Sequence, residues 1–305
     1  MDFRFNEEQE ELRAIARAFL EEKSGSEQVR AAMESTLGWD EALWAELGGE
    51  LGWPSVQIPE EYGGLGLGYV ELAALLEISG ESLLCAPFFS SACLGAGALL
   101  SAGSEEQKKE LLPCIAEGQT RATLAHTGLA GAPGCAGVEV TATAEGDGFV
   151  LDGHHGFVVD GHSAELLVVA ARRPGSEGEE GIARFALAGD TPGLIRTPLP
   201  TLDLTRRLAR LDFAGVRVPG SALLGGDDEA GAKLERALQL SAIGLAAEQV
   251  GGAQRCLDLS VAYAQEREQF GRPIGSFQAI KHKCADMMVA VECARSAAYY
   301  AACVV

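Results

Sequence analysis

The spacing of apolar residues changes twice along this 305-residue chain, and that change limits the possible folds more than any other feature. Near the start, apolar residues recur with the three- and four-residue spacing of one helix face. These residues are Leu12, Ile15, Ala16, Phe19 and Leu20. Residues 138–144 alternate between apolar and polar, which is typical of a strand with one buried face, whereas residues 234–267 return to a helical pattern. The chain is therefore helical, then β, then helical.

This order of segments predicts an α+β protein with three domains. We expect an N-terminal α-helical domain at residues 1–120 and a middle β domain at residues 121–226. The middle domain is predicted to be a small antiparallel β-barrel or sandwich, because several short strands follow one another without a helix between them. A C-terminal helical bundle is predicted at residues 227–305.

The N-terminal domain is predicted to consist of several short helices. Asn6, with Gln9 three residues later, resembles a capping box and marks the start of the first helix. Further helices are expected at about 38–50, 69–82, 90–102 and 105–117. The glycine-rich segment 59–68 could suggest a phosphate-binding loop, but it lacks the Lys-Ser/Thr pair of a P-loop and no βαβ pattern surrounds it.

The middle domain has the turn and strand signals of a β structure. A turn of Glu, Gly, Asp and Gly at 145–148 separates two strand-like runs, as in a hairpin. The strands are predicted at 138–144, 149–152, 156–159, 164–171, 182–188 and 208–218.

Two long helices are predicted in the C-terminal domain. Residues 234–267 carry small or apolar residues on nearly every face, which is typical of a helix buried inside a bundle. Gly271 and Pro273 then stop the helix, and a second helical pattern begins near Ser276 and continues to Val305. We expect an incomplete bundle, and both a truncated sequence and a naturally short protein would explain it.

Composition and charge exclude several classes of function. The formal net charge is −20, and residues 1–120 hold −15 of it, so binding to a nucleic acid is disfavoured. The sequence contains no apolar run long enough for a transmembrane helix, and its acidic start does not resemble a secretory signal. We therefore predict a cytoplasmic protein that does not bind membranes.

The cysteines and histidines do not predict a metal site. The eight cysteines include no C-x-x-C pair, and they are interpreted as reduced thiols of a cytoplasmic protein. His154 and His155 are adjacent in a predicted strand, where consecutive side chains face opposite sides.

Four sequence strings resemble the acyl-CoA dehydrogenase family. The most specific is REQFGRPIGSFQ, from Arg267 to Gln278, at the start of the last helical hairpin. PEEYGG begins at Pro59, LDLTRR begins at Leu202, and AEQVGGAQ begins at Ala247. Together with the helical, β and helical order, these strings extend the resemblance over the whole chain.

The resemblance implies a flavoprotein that oxidises the Cα–Cβ bond of an acyl-CoA thioester in fatty acid or steroid β-oxidation. In the family, a carboxylate removes the α proton while the β hydride passes to FAD. The resemblance assigns Arg267 to the FAD pyrophosphate, Phe270 to the adenine and Gln278 to the same region, on a cofactor held mainly by the neighbouring subunit. A fixed guanidinium suits a diphosphate, although Arg267 could instead complement a helix C-terminus and Phe270 could serve only packing.

Two segments depart from the family pattern for the flavin ring. The family string T-E-P-G…S corresponds here to residues 126–134, where Thr127 is kept, Gly128 and Leu129 replace Glu-Pro, and Pro133 replaces Ser. The family string W-x-T/S corresponds to Phe157-Val-Val159, which keeps an aromatic ring and loses the hydroxyl.

The catalytic base of the family also has no counterpart at the expected position. In one branch of the family, a Glu lies 29 residues before the Phe of R-x-Q-F-G, and Ser241 occupies that position here. In the other branch, the Glu belongs to a later C-terminal segment. Glu248 lies seven residues after Ser241 on nearly the same helix face, about 10.5 Å further along the axis, and is more simply interpreted as a structural carboxylate.

These features predict a subunit of a heteromeric acyl-CoA dehydrogenase that resembles the degenerate partner in actinobacterial α2β2 enzymes of steroid side-chain oxidation. It would contribute Arg267, Phe270 and Gln278 to FAD shared with a cognate subunit in a dimer or tetramer. Alone, it would be inactive. Two alternatives remain: a homomeric acyl-CoA dehydrogenase whose C-terminal segment lies outside this sequence, and a non-enzymatic scaffold of the same fold.

Overall fold

The computed structural model describes residues 5–226 and 229–305. Its contacts divide the chain into two compact units that do not follow chain order. The first contains the residues up to Val29, Gly68–Leu84 and Ile243–Val305, and the second contains Arg30–Leu67 and Cys85–Ala242. The three domain boundaries taken from the sequence stay a prediction.

From residue 5 onward, where the described part of the chain begins, six α-helices precede the β region. They are α1 (Glu7–Lys23), α2 (Ser26–Glu34), α3 (Glu41–Ala45), α4 (Tyr69–Glu81), α5 (Gly97–Ala102) and α6 (Glu105–Ala116). The Asn6 side chain accepts a hydrogen bond from the Gln9 N–H, and the Gln9 side chain accepts one from the Asn6 N–H, which confirms the capping box.

The sequence patterns missed some local features of this helical region. Helix α2 was not predicted. The predicted helix 38–50 is the short helix α3 followed by a π-helical turn, Glu46–Glu50. A second π-helix, Phe89–Ala96, precedes α5 within the predicted helix 90–102.

Seven strands form one sheet in the middle of the chain. They are β1 (Ala122–Ala125), β2 (Thr141–Glu145), β3 (Gly148–Val159), β4 (Leu166–Arg172), β5 (Ile182–Ala188), β6 (Leu194–Pro198) and β7 (Leu208–Pro219). The order is β1-β4-β2-β3-β7-β6, and β5 pairs with the other edge of β4. The short strands β1 and β6 were not predicted.

The sheet is largely antiparallel, as expected. However, β1 runs parallel to β4, and β2 also pairs with β4 in the parallel direction, at a single residue pair. The core face of the sheet packs around Leu151, Val169, Phe185 and Leu211, which are fully buried. This arrangement confirms the α+β fold class and corrects the expectation of purely antiparallel pairing.

Two long helices complete the chain, as predicted. Helix α7 (Ala230–Glu266) and helix α8 (Gln278–Cys303) are joined by a turn that contains the short strands β8 (Glu268–Gln269) and β9 (Arg272–Pro273). Among the described helices, none is both long and apolar enough to cross a membrane.

Helices α4, α7 and α8 pack closely within the first unit. A Cβ atom at Gly80 would lie 1.9 Å from the Glu248 carbonyl oxygen, and one at Gly251 would lie 1.7 Å from the Glu77 carbonyl oxygen. Glycine at both positions therefore lets the backbones of α4 and α7 touch. Hydrogen bonds from Arg295 and Tyr299 of α8 to the Glu77 carboxylate join α4 to α8 as well.

Candidate functional site

The turn between α7 and α8 holds three of the predicted site residues. The backbone N–H of Arg267 donates to the Tyr263 carbonyl at 2.8 Å, and the N–H of Ile274 donates to the Arg267 carbonyl at 2.8 Å. Phe270 and Gly271 have positive φ angles, 54° and 77°, at the end of the two-stranded ribbon. A left-handed conformation is unusual for Phe and is common in tight turns and at functional sites.

The side chains of this turn project away from the chain. Phe270 is 92% exposed, and its ring centre lies 6.0 Å from that of Phe277 in an edge-to-face arrangement. Arg267 and Gln278 are exposed, and within the described residues the Arg267 guanidinium forms no ion pair. The structure thus leaves one cation and one aromatic ring of this turn available to an external group.

The loop after β1 contains Thr127, and the irregular part of β3 between His155 and Val158 contains Phe157, the other predicted contact. The Gly156 N–H donates to the Thr127 carbonyl at 2.8 Å, which places Phe157 directly beside the loop that follows β1. Phe157 is 48% exposed and has a φ angle of 55°. The structure therefore brings Thr127 and Phe157 together, as the resemblance implies.

The polar groups of the loop after β1 are largely used inside the chain. The Gly128 N–H donates to the Gly137 carbonyl at 2.7 Å. The Glu139 carboxylate lies against the Cα of Gly128 and pairs with His154 Nε2 at 3.0 Å. Pro133 has no N–H to offer, and Val159 has no hydroxyl. Thr127 is half-buried and keeps a hydroxyl without a hydrogen bond to the described residues.

Two histidines beside this loop are held neutral by burial. His155 is fully buried, and desolvation lowers its pKa to about 4. Its Nε2 lies 2.8 Å from the Ala170 carbonyl oxygen. Desolvation also lowers the pKa of His126. Neither imidazole supplies a positive charge at neutral pH.

Ser241, at the position of the family's catalytic Glu, is buried and hydrogen-bonded. The hydroxyl of Ser241 is 2.9 Å from the Cys93 carbonyl oxygen of the π-helix and 2.9 Å from the Ala237 carbonyl oxygen of its own helix. A serine hydroxyl has one proton, and these acceptors occupy it. Glu248 is half-buried on the same helix.

Sequence reasoning missed Arg172, which organises the loop after β1. Its guanidinium donates to the carbonyl oxygens of Val138, Cys135, Ser176 and Gly178 at 2.5–3.2 Å. The Glu235 carboxylate accepts from the Cys135 N–H at 2.7 Å. An arginine at the end of a strand gives no sequence signal for such a role, because its partners are backbone atoms.

Comparison with known proteins identifies the family. A family model of the acyl-CoA dehydrogenase N-terminal domain matches residues 6–119, and one of the C-terminal domain matches residues 232–304. Acyl-CoA dehydrogenase IpdE2 of Mycolicibacterium smegmatis is 36% identical over 95% of this chain and 75% of its own length. The chain belongs to the acyl-CoA dehydrogenase family.

Solved structures of this family share the fold. The ChsE4-ChsE5 complex from Mycobacterium tuberculosis matches with a TM-score of 0.88 and 31% identity, over 99% of this chain and 79% of the other. The Tcur3481-Tcur3483 steroid acyl-CoA dehydrogenase matches with a TM-score of 0.84 and 33% identity, over 97% and 77%.

Members of this family use FAD, and the two candidate regions fit it unequally. The turn with Arg267 and Phe270 offers an exposed cation and ring, which suit a diphosphate and an adenine. The loop that contains Thr127 offers one hydroxyl, and Phe157 of β3 offers an aromatic face. The Gly128 N–H of that loop already donates to the Gly137 carbonyl. The chain therefore fits the nucleotide end of FAD better than the ring end.

Proposed function

We propose that this chain is a subunit of a heteromeric FAD-dependent acyl-CoA dehydrogenase and contributes Arg267, Phe270 and Gln278 to FAD held mainly by a partner subunit. The observation that carries this proposal is the turn before α8. Phe270 is 92% exposed in a left-handed conformation, and the guanidinium of Arg267 is exposed nearby. An exposed aromatic ring on a fixed turn contributes binding energy when a second molecule buries it.

The reaction is the α,β-dehydrogenation of an acyl-CoA thioester, in which FAD supplies the hydride acceptor. In this chain, Arg267 would bind the pyrophosphate, and Phe270 would pack beside the adenine. Ser241 cannot remove the α proton, because a buried hydroxyl between two carbonyl oxygens is neither basic nor accessible. The partner subunit would supply the base.

A steroid side-chain thioester is the substrate class that we favour. The support comes from similarity, since the Tcur3481-Tcur3483 protein is described as a steroid acyl-CoA dehydrogenase and ChsE4-ChsE5 is a complex of two different chains. Both are about one third identical to this chain.

The experiment compares the chain alone with the chain produced together with its cognate acyl-CoA dehydrogenase subunit. Alone, the chain should purify with little FAD, whereas the complex should be yellow and should reduce its flavin on addition of an acyl-CoA. A full complement of FAD in the single chain would contradict the shared site. A single chain that also oxidised acyl-CoA would favour a homomeric enzyme, and a complex without flavin or activity would favour a scaffold.

A further inference from the structure

The turn that presents Phe270 has an unusual backbone. Gln269 pairs with Arg272 in the two-stranded ribbon, and the two residues between them, Phe270 and Gly271, both have positive φ angles. Two successive left-handed residues in a two-residue hairpin loop are the pattern of a type I′ turn, which normally holds Asn, Asp or Gly at its first position. A phenylalanine there is strained, so the turn depends on contacts outside these two residues.

Arg272 and Phe277 supply such a contact. The guanidinium carbon (Cζ) of Arg272 lies 4.1 Å from the centre of the Phe277 ring, which is within range of a cation–π interaction. Within the described residues, the exposed Arg272 forms no ion pair that would draw it away from this ring. Phe277 is the residue directly before α8, and its carbonyl oxygen accepts from the Lys281 N–H at 3.0 Å. The contact therefore joins the end of the hairpin to the start of α8.

The Phe277 ring also contacts Phe270. The two ring centres lie 6.0 Å apart and the ring planes are 84° apart, which is a favourable edge-to-face arrangement. Among the described residues, this is the ring contact of Phe270, whose side chain is 92% exposed. Phe277 thus lies between the Arg272 guanidinium and the Phe270 ring and contacts both.

We propose that Arg272 is a positioning residue for the adenine contact, because its stacking on Phe277 holds the ring against which Phe270 packs. This inference rests on the proposed function, in which Phe270 packs beside the adenine of FAD. A ring that is held in one orientation loses less freedom when a ligand covers it, so affinity increases without a new contact to the ligand. Arg272 would act through Phe277 and Phe270, whereas Arg267 would bind the pyrophosphate directly.

A general role of charge is the alternative to positioning. Residues 267–283 carry four exposed cations in a chain whose formal net charge is −20, namely Arg267, Arg272, Lys281 and Lys283. Each of them could attract a pyrophosphate at long range. Loss of such attraction, or a general loosening of the turn, would weaken ligands with and without adenine alike. Loss of positioning would weaken only the ligand that contains adenine.

The test uses the complex of this chain with its cognate acyl-CoA dehydrogenase subunit, after removal of flavin. Titration calorimetry measures the Kd of FAD and of riboflavin 5′-pyrophosphate, which keeps the pyrophosphate and lacks the adenosine. The variants are Arg272→Leu and Arg272→Lys, and Phe270→Ala alone and with Arg272→Leu completes a double-mutant cycle. Lys283→Met is the matched control, because it removes another exposed cation of the same segment.

Arg272→Leu should raise the Kd of FAD by about threefold to tenfold, the size of one aromatic contact, and that of riboflavin 5′-pyrophosphate by less than about twofold. Arg272→Lys should have an intermediate effect, because an ammonium keeps the charge but does not stack as a plane. In the Phe270→Ala background, Arg272→Leu should have no further effect on FAD. Lys283→Met should bind both ligands as the wild type does.

An equal loss of both ligands in Arg272→Leu, or an equal loss of FAD in Lys283→Met, would overturn the proposal. An undiminished effect of Arg272→Leu in the Phe270→Ala background would overturn it too, because the two residues would then act independently. Wild-type affinity for FAD in Arg272→Leu, together with weaker binding in Phe270→Ala, would refute this inference alone. Wild-type affinity in Phe270→Ala would contradict the adenine contact of the proposed function itself. If Arg272→Leu does not fold, wild-type affinity for FAD in Arg272→Lys would overturn the inference instead.

Discussion

The two regions that resemble flavin contacts have opposite characters. The turn from Arg267 to Gln278 exposes its ring and its cation, and its backbone is fixed by short hydrogen bonds. The loop with Thr127 accepts a hydrogen bond from Gly156 of β3, next to Phe157, and Glu139, which pairs with His154, lies against Gly128. A surface that presents groups outward can serve a neighbouring molecule, whereas a loop whose donors are engaged has fewer groups to offer a ligand.

Under the proposed function, the difference explains how a subunit can keep a contact to the nucleotide end of FAD without a complete site for the flavin ring. Contacts to the flavin ring need hydroxyl and N–H donors at fixed positions, and the resemblance implies that Pro133 and Val159 stand where the family has hydroxyl side chains. The contact to a diphosphate needs one well-placed guanidinium, so it can be retained independently.

The largest expected effect breaks the contact between α4 and the C-terminal half of α8. Glu77 is 1% exposed and accepts hydrogen bonds from Arg295 Nε at 3.0 Å and from the Tyr299 hydroxyl at 2.6 Å, so it ties α4 to α8. Glu77→Ala should lower the free energy of unfolding by about 3–5 kcal/mol, because it removes the buried carboxylate that Arg295 and Tyr299 share and leaves the largely buried guanidinium with only the exposed Glu292 as a counter-charge. Urea denaturation of the full chain measures this loss.

Glu292→Ala is the matched control, because Glu292 also pairs with Arg295 but its side chain is 59% exposed. Exposed pairs contribute about 0–1 kcal/mol. Equal losses for the two variants would show that Glu77 has no special role in holding α8.

The second effect concerns cofactor binding by the complex. Arg267→Ala should weaken FAD binding by about 2–5 kcal/mol, the range for truncating one member of a desolvated charge pair. Arg267→Lys should recover only part, since an ammonium cannot donate in a fork. Arg255→Ala, at an exposed position of α7, is the control. FAD retention after gel filtration measures the effect, and retention by Arg267→Ala equal to wild type would exclude this residue from the shared site.

The third expected effect tests whether His155, beside the loop that contains Thr127, is a buried neutral imidazole. The pKa of His155 is 6.5 in its ordinary state and about 4 in the fold, so the unfolded chain gains a proton as the pH falls below 6.5 while the folded chain stays neutral. The free energy of unfolding should fall by about 2 kcal/mol between pH 6.5 and pH 5, and the loss should be complete below about pH 4. His155→Gln should flatten this dependence relative to the exposed-site variant His282→Gln, as measured by urea denaturation across that range. An unchanged slope in His155→Gln would contradict the buried neutral imidazole.

Sequence patterns predicted the long elements well and the short ones poorly. Helix α7 was identified because small and apolar residues continue on nearly every face over a long run, and strand β7 because it is a long strand-like run bounded by turn residues. Strand β1 has four residues, all buried, so it shows no alternation, and all eight residues of the π-helix Phe89–Ala96, two serines included, are buried. Such short buried segments depend on tertiary contacts.

The residues of the candidate site were also predicted only in part. The string from Arg267 to Gln278 is contiguous, so its resemblance could be read directly. The role of Arg172 depends on backbone carbonyl groups, which carry no side-chain signal; those at 135–138 are distant in sequence, and those at 176–178 lie in the turn that follows β4. Arg184 likewise carries no sequence signal of its burial: it is 2% exposed only because strand pairing places it opposite Ala170.

The smallest expected effect concerns the exposed ring of Phe270, in the turn that presents its groups outward. Phe270→Ala should weaken FAD binding by the complex by about 0.5–1.5 kcal/mol, the contribution of one aromatic pair beyond burial. The folded state should be unaffected, because a ring that is 92% exposed contributes little to the core. Phe277→Ala, which removes the neighbouring ring beneath Arg272, should instead lower the Tm, since Arg272 packs 4.1 Å from that ring centre. Loss of Tm in Phe270→Ala with unchanged FAD binding would mean that Phe270 stabilises the turn of its own chain and does not contact the adenine.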